Sequence, residues 1–248
     1  MRESDEKLAE RLADAAGELL LHLRAEGRHA GKALGQAGDA AANALLCREL
    51  RAARPDDAIL SEEEKDSEAR LAASRVWIVD PLDGTREYGE GRSDWAVHVA
   101  LAVDGEAKIG AVALPGLGVT LTSGSPPALK PANAPLKMLV SRTRPAAEAL
   151  FVAERLRAEL LAMGSAGAKA MAVVRGEADI YLHSGGQYEW DNCAPVAVAE
   201  AAGLHASRAD GTPLRYNAHD TYLPDLLICR KELAGEVLRI AAGFAASS

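Results

Sequence analysis

The first long pattern in the chain has a helical period. Leu8, Leu12, Ala15, Ala16, Leu19, Leu20 and Leu23 recur at helical spacing and predict an amphipathic helix over residues 3–24. Glycines across 31–38 predict a break, followed by a second helix over 39–53. The period then changes. Short apolar runs near 58–60, 76–79, 96–103, 107–114 and 119–122 predict strands. The last three, joined by Asp104-Gly105 and Pro115-Gly116, predict an antiparallel meander. Residues 124–135 are rich in Pro and Ala and read as a linker. Beyond them strand and helix alternate: a strand at 138–141, a helix after Pro145, a glycine-rich turn, a helix near 168–174 and a strand at 178–182. A helix follows Asp191, then short strands and a final helix over 232–242. The pattern predicts an α+β lobe (1–123) and an α/β lobe (136–248), with no internal repeat.

The most informative stretch is Val76-Trp77-Ile78-Val79 running into Asp80-Pro81-Leu82-Asp83-Gly84-Thr85. A β-branched run ended by Asp-Pro reads as a buried strand closing in a sharp turn. Two carboxylates three residues apart on that turn can converge on one point. Gly84 allows close backbone approach, and Thr85 offers a hydroxyl. Hard cations such as Mg²⁺ take oxygen ligands of this kind. Zinc prefers His and Cys, and none stands beside the turn. The alternative is a solvated turn whose aspartates bond their own backbone.

Two further acidic clusters change the weighting. Glu62-Glu63-Glu64 ends the apolar run Ile59-Leu60-Ser61, and Glu189-Trp190-Asp191 precedes a helical pattern. Singly, the first reads as a charged loop and Asp191 as an N-cap for a helix that Pro195 helps to start. Together, three carboxylate clusters at the ends of apolar elements are what a multi-metal phosphate site needs. Composition sets the frame for that chemistry. The 248 residues are 48% hydrophobic and 26% charged, ordinary globular material that can bury a large core. Residues 1–11 are highly charged without an apolar signal core, and no run is long enough to span a membrane. Cys47, Cys193 and Cys229 are odd in number and widely spaced, which argues against a disulfide framework and for a reducing cytoplasm. A net charge of −8 argues against a nucleic-acid polymer as partner. An acidic enzyme can still take an anionic substrate where bound cations invert the local field.

The order Ser61-Glu62-Glu63, then Trp77 through Thr85, then Glu189-Trp190-Asp191 resembles the inositol monophosphatase superfamily of Mg²⁺-dependent, lithium-sensitive phosphatases. The resemblance runs from about residue 39 to the C-terminal region. Leu82-Asp83-Gly84-Thr85-Arg86-Glu87-Tyr88 and Gly164-Ser165-Ala166-Gly167-Ala168-Lys169 are similar to its 3′(2′),5′-bisphosphate nucleotidase (CysQ-like) branch. The resemblance implies a layered α/β/α/β sandwich with the site between the lobes. It implies that Glu62, Asp80, Asp83, Asp191 and the Leu82 carbonyl hold two or three Mg²⁺. Thr85 would help activate the attacking water, polarised by Asp39, although Asp39 fits a plain N-cap after Gly38 equally well. Gln36-Ala37-Gly38 stands where many relatives carry Thr or Ser, so the loop there is expected to differ.

Substrate contacts are expected from Gly84, Thr85, Arg142, Ser165, Lys169 and His183. Lys169 would meet a second phosphate; its alternative is a surface lysine in a cap loop. His183 replaces an Arg of several relatives, and Tyr188 and Trp190 are either adenine neighbours or core aromatics. An aspartyl nucleophile is disfavoured, because Asp80 and Asp83 are three apart rather than two and the other clusters favour water attack. The implied activity is removal of the 3′-phosphate of 3′-phosphoadenosine 5′-phosphate, and of its 5′-phosphosulfate analogue, in control of sulfate-assimilation by-products. An inositol or sugar monophosphatase is the nearest alternative. A regulatory protein acting through RNA polymerase or RNA is a third, which the charge and the intact ligand set count against. A small phosphate ester is the expected partner, and a homodimer is left open.

Overall fold

The structure, a computed structural model, describes residues 3–245. The outermost residues of both expected lobes, 1–2 and 246–248, lie outside the described residues. Two helices open the chain, α1 (Asp5–Ala25) and α2 (Gly31–Ala53). Then come β1 (Ala58–Ser61), β2 (Arg75–Asp83), the short α3 (Thr85–Gly89), β3 (Ala96–Val103), β4 (Glu106–Leu114) and β5 (Val119–Thr122). The second half holds β6 (Lys137–Ser141), α4 (Ala147–Leu156), β7 (Glu159–Met163), α5 (Ala166–Val174) and β8 (Ile180–Tyr188). It ends with α6 (Glu189–Ala201), β9 (His205–Ser207), β10 (Tyr222–Cys229) and α7 (Lys231–Ala245).

Among the described residues the strands form two five-stranded sheets, β1-β2-β3-β4-β5 and β7-β6-β8-β10-β9. In the first, β1 lies parallel to β2 and the remaining pairs are antiparallel, including the meander β3-β4-β5. In the second, β6 runs parallel to β7 and β8, and β10 runs antiparallel to β8 and β9. Alternation along the strands assigns each face. Trp77, Val79, Val97 and Val99 meet Leu12, Leu20, Leu46 and Leu50 of α1 and α2. Val76, Ile78, Ala96 and Ala100 face the other way, onto Met171, Val173, Cys193 and Val196 of α5 and α6. Tyr181 and Ile228 of the second sheet reach the same central layer. Its outer face, with Met138, Ile180 and Leu227, is covered by Val152 of α4 and Val237 of α7. Helix and sheet thus alternate as the resemblance implies, with α4 and α7 adding an outer layer. None of the described helices is long and apolar enough to cross a membrane.

Three local expectations change. Glycines 31–38 do not break the chain; they lie in α2. A Cβ on Gly35 would stand 2.5 Å from Thr85 Cγ2, and one on Gly38 3.0 Å from Leu20, Leu82 and Tyr88. These glycines let the helix approach the β2 turn, and that packing offsets their low helix propensity. Asp39 is therefore inside a helix and is not its N-cap. The edge strand β7 escaped notice because its side chains are largely exposed and supply no buried period. Likewise α6 starts at Glu189, so Asp191 sits in its first turn rather than at its cap.

The central layer is tight. A Cβ on Gly110 of β4 would lie 2.4 Å from the Ala194 carbonyl oxygen of α6. Gly110→Ala is expected to cost about 1–3 kcal/mol by overpacking. Each kcal/mol lowers the melting temperature of a chain this size by roughly 2–4 °C. Calorimetry showing an unchanged melting temperature would mean that α6 can lift away freely.

Candidate active site

A strand with strict alternation would send Asp80 and Asp83 to opposite faces. The β2–β3 register prevents this. Asp80 pairs with His98 and Asp83 with Ala96, so β2 carries one extra residue between them. This bulge turns both aspartates toward the central layer, while Leu82 packs with Trp77 and Val79 on the opposite side. Gly84 then turns the chain at φ +89°, and a Cβ there would meet Ser165 Cβ at 3.1 Å. Thr85 opens α3.

Asp191 comes to the same place from the first turn of α6, its Oδ2 accepting the Tyr188 amide at 2.6 Å. Oxygen atoms of Asp80, Asp83 and Asp191 all lie within 4.8 Å of one another, a group that could hold a metal ion. Crowded carboxylates resist ionising together. Burial, then the charges of Glu62, Asp83 and Asp191, push Asp80 well above the usual range. Burial and the charge of Asp83 raise Asp191 to about 6. Glu62 follows β1, which runs parallel to β2, and is raised to about 7 by burial and the charge of Asp191. Glu62 borders the three aspartates and does not join their tight group among the described residues. An oxygen-only donor set with surplus negative charge fits a hard divalent cation.

Asp83 is the exception. Burial acts to raise it, but the His98 imidazole, the Ser165 hydroxyl and the Gly167 amide outweigh burial and hold it at about 2. Its carboxylate accepts from Ser165 Oγ at 2.5 Å, from the Ala166 amide at 3.1 Å and from the Gly167 amide at 2.6 Å. An ionised carboxylate from the first sheet thereby caps the N-terminus of α5.

Asp39 meets Thr85 from α2. The Thr85 hydroxyl lies 3.2 Å from Asp39 Oδ1 and 3.1 Å from the Leu82 carbonyl, two acceptors for one proton. Burial and the charge of Glu63 raise Asp39 to about 7.

Beside the carboxylates opens a cavity of about 570 Å³. Gly84, Arg142, Ser165, Lys169 and His183 all line it, together with Asp83 and Asp191. Lys169 is buried, and its Nζ donates to the Gly164 and Ser165 carbonyls at 2.8 and 2.5 Å. Burial lowers it to about 8, and burial together with the nearby Lys169 charge lowers His183. Arg142 donates to Glu87 at 2.7 Å and to Glu90 at 2.9 Å, so two carboxylates hold it at the rim. Tyr188 and Trp190 stack with ring centroids 4.9 Å apart, outside the cavity lining. Arg144 and Glu87, both lining residues, and the buried His98 were not singled out from the sequence. For His98 a signal was present: a lone polar side chain inside the apolar run Val97-His98-Val99.

Comparison with known proteins agrees with this architecture. The sequence profile of the inositol monophosphatase family matches residues 1–242. A 3′-phosphoadenosine 5′-phosphate phosphatase of Mycobacterium leprae is 52% identical over 254 residues, covering 96% of this chain and 93% of that protein. The 3′(2′),5′-bisphosphate nucleotidase CysQ of Escherichia coli K12 is 32% identical, covering 75% of this chain and 81% of its own. Among solved structures, CysQ of Bacteroides thetaiotaomicron superposes with a TM-score of 0.79 at 24% identity, over 92% of this chain and 97% of that one. With its acidic turn, its layered fold and a profile match over nearly its whole length, this chain belongs to the inositol monophosphatase family.

Proposed function

We propose that this chain is a Mg²⁺-dependent 3′(2′),5′-bisphosphate nucleotidase that hydrolyses the 3′-phosphate of 3′-phosphoadenosine 5′-phosphate to give AMP and phosphate. The observation that carries the reading is the polarity of one cavity. Asp83 and Asp191 line it together with the cations Lys169, Arg142 and Arg144. A metal-dependent phosphatase of a monoester needs the acidic side; a substrate with a second phosphate also uses the cationic side. The name and 52% identity of the M. leprae relative support the same choice.

Asp80, Asp83 and Asp191, with Glu62 and the Leu82 carbonyl beside them, are the residues that would hold two or three Mg²⁺. When bound, the cations would supply charge that offsets the phosphate oxygens and makes an attacking water more acidic. The protein's own groups then order the reaction. With Asp39 ionised, Thr85 Oγ1 gives its proton toward Oδ1 and turns a lone pair to the incoming water. Gly84, with no side chain, leaves its backbone open to the phosphate at the start of α3. Water oxygen bonds to phosphorus as the bond to the 3′-oxygen breaks; the water gives one proton to Thr85 Oγ1 as that hydroxyl passes its own to ionised Asp39, and the leaving oxygen takes a proton from solvent. The three cysteines are buried and free, which supports a reducing, cytoplasmic setting.

The deciding experiment is phosphate release with Mg²⁺ from equal concentrations of 3′-phosphoadenosine 5′-phosphate and inositol 1-phosphate. The proposal expects a strong preference for the nucleotide. A reversed preference would make the protein a sugar phosphatase, and release from neither would remove the enzymatic reading. Lys169→Ala sharpens the test. Loss of a charge-assisted contact worth about 1.5–3 kcal/mol is expected to lower kcat/KM for the nucleotide roughly 10- to 100-fold. Turnover of inositol 1-phosphate, poor in itself, should change far less. Equal losses would mean that Lys169 acts only by holding the Gly164 and Ser165 carbonyls.

A further inference from the structure

His98 is fully buried in β3, within the central layer between the carboxylates and the helices of the second half. Its Nδ1 donates to the Trp190 carbonyl at 2.9 Å, one residue before Asp191. Its Nε2 lies 3.2 Å from Asp83 Oδ2, a charge contact off the line of a hydrogen bond. The first turn of α5 sits directly on the ring, so close that a Cβ on Gly167 would fall 2.0 Å from Nε2. One rigid side chain therefore touches Asp83 at the end of β2, the backbone beside Asp191 in α6, and the turn of α5 that caps Asp83.

We infer that His98 is a positioning residue: its ring is a spacer that sets the distance between Asp83 and Asp191, two carboxylates delivered by elements far apart in sequence. The inference rests on the reading that these carboxylates hold divalent cations. Its physical basis is geometric. Divalent-cation affinity depends on carboxylates held at a fixed separation, and residues that orient ligands typically contribute 10- to 100-fold to affinity. The bulge in β2 aims Asp83 without fixing where α6 stands; the imidazole reaches both.

The test separates the two ties. Asn places its amide nitrogen where Nδ1 stands, so His98→Asn keeps the contact to Trp190 and drops that to Asp83. Gln reaches the position of Nε2, so His98→Gln does the reverse. Mn²⁺ binding to the full chain, read by electron paramagnetic resonance without substrate, is expected to weaken about tenfold or more in both variants. Metal-free melting temperatures identify any variant that has lost its fold. Either folded variant binding Mn²⁺ like wild type would overturn the bridging role. Should neither fold, the wild-type protein answers instead: Mg²⁺ titration should shift the His98 ring ¹⁵N resonances, and resonances that stay fixed at saturation would overturn the inference. Wild-type protein that binds no Mn²⁺ would instead remove the metal-site reading beneath it.

Discussion

Asp83→Asn is expected to lower kcat/KM for the bisphosphate nucleotide about a thousandfold or more at any practical Mg²⁺ concentration. That corresponds to the several kcal/mol of charge stabilisation a carboxylate-held cation contributes to phosphoryl transfer. The substitution also acts on the fold. Asp83 accepts from two amides and one hydroxyl, and the His98 ring lies beside it at 3.2 Å. An amide NH₂ in its place would face donors with a donor and leave His98 without its charge partner. Breaking one member of a buried pair costs about 3–5 kcal/mol. The sign with pH is definite. Asp83 titrates at about 2 in the folded chain, below the ordinary 3.8, so its stabilisation is complete above that ordinary value and fades as pH falls toward 2. At neutral pH the whole difference between wild type and variant should be visible. Phosphate-release kinetics and thermal denaturation measured together check both parts. Near-normal turnover in a folded Asp83→Asn protein would remove Asp83 from the site.

The second large effect concerns the metal-free protein, which is expected to lose stability as pH rises from 5 to about 7.5. Asp39 and Glu62 titrate at about 7 and Asp191 at about 6, and Asp80 is raised well above its ordinary value. The unfolded chain releases these protons near pH 4, whereas the folded chain keeps those of Asp39, Glu62 and Asp191 to pH 6–7. Between those limits the folded state binds more protons, so each step up in pH favours unfolding. A rise of a single pKa unit is worth about 1.4 kcal/mol, or roughly 3–6 °C of melting temperature here. His183 is lowered and acts in the opposite sense below its ordinary 6.5, whereas Lys169, lowered to about 8, acts only above this range, so the carboxylate effect is best isolated with metal. Mg²⁺ should recover the loss and raise the melting temperature more at pH 7.5 than at pH 5, because it needs the ionised carboxylates. Thermal scans across pH in EDTA and in Mg²⁺ provide the measurement. A Mg²⁺ effect independent of pH would contradict the mutual repulsion of these carboxylates.

The carboxylate turn of the proposed site was legible because it is written locally. A buried strand ending in Asp80-Pro81-Leu82-Asp83-Gly84-Thr85 carries its own turn, its two carboxylates and its hydroxyl within six residues. The meander was legible for the same reason, since period-two runs and short turns are near-neighbour signals. Glycines 31–38 misled because the sequence shows their flexibility, whereas what matters is the close approach of α2 to Thr85 and Leu82. The exposed strand β7 carried no signal, as its pairing is supplied by the backbone of β6.

What the amino-acid order alone determined is the inventory: an acidic, metal-suited ligand set, a threonine beside it, and Lys169 on a glycine-rich helix start. Tertiary structure decided the arrangement. The bulge against β3 turned Asp80 and Asp83 to one face, and α2 brought Asp39 within 3.2 Å of Thr85. Lys169 was drawn inward onto backbone carbonyls, and a core histidine came to stand between Asp83 and the start of α6. The physical reason is range. Periodicity, turns and caps act over a few residues and can be read along the chain. Separations between side chains on different elements are set by how two sheets and three helical layers pack, and no local pattern records them.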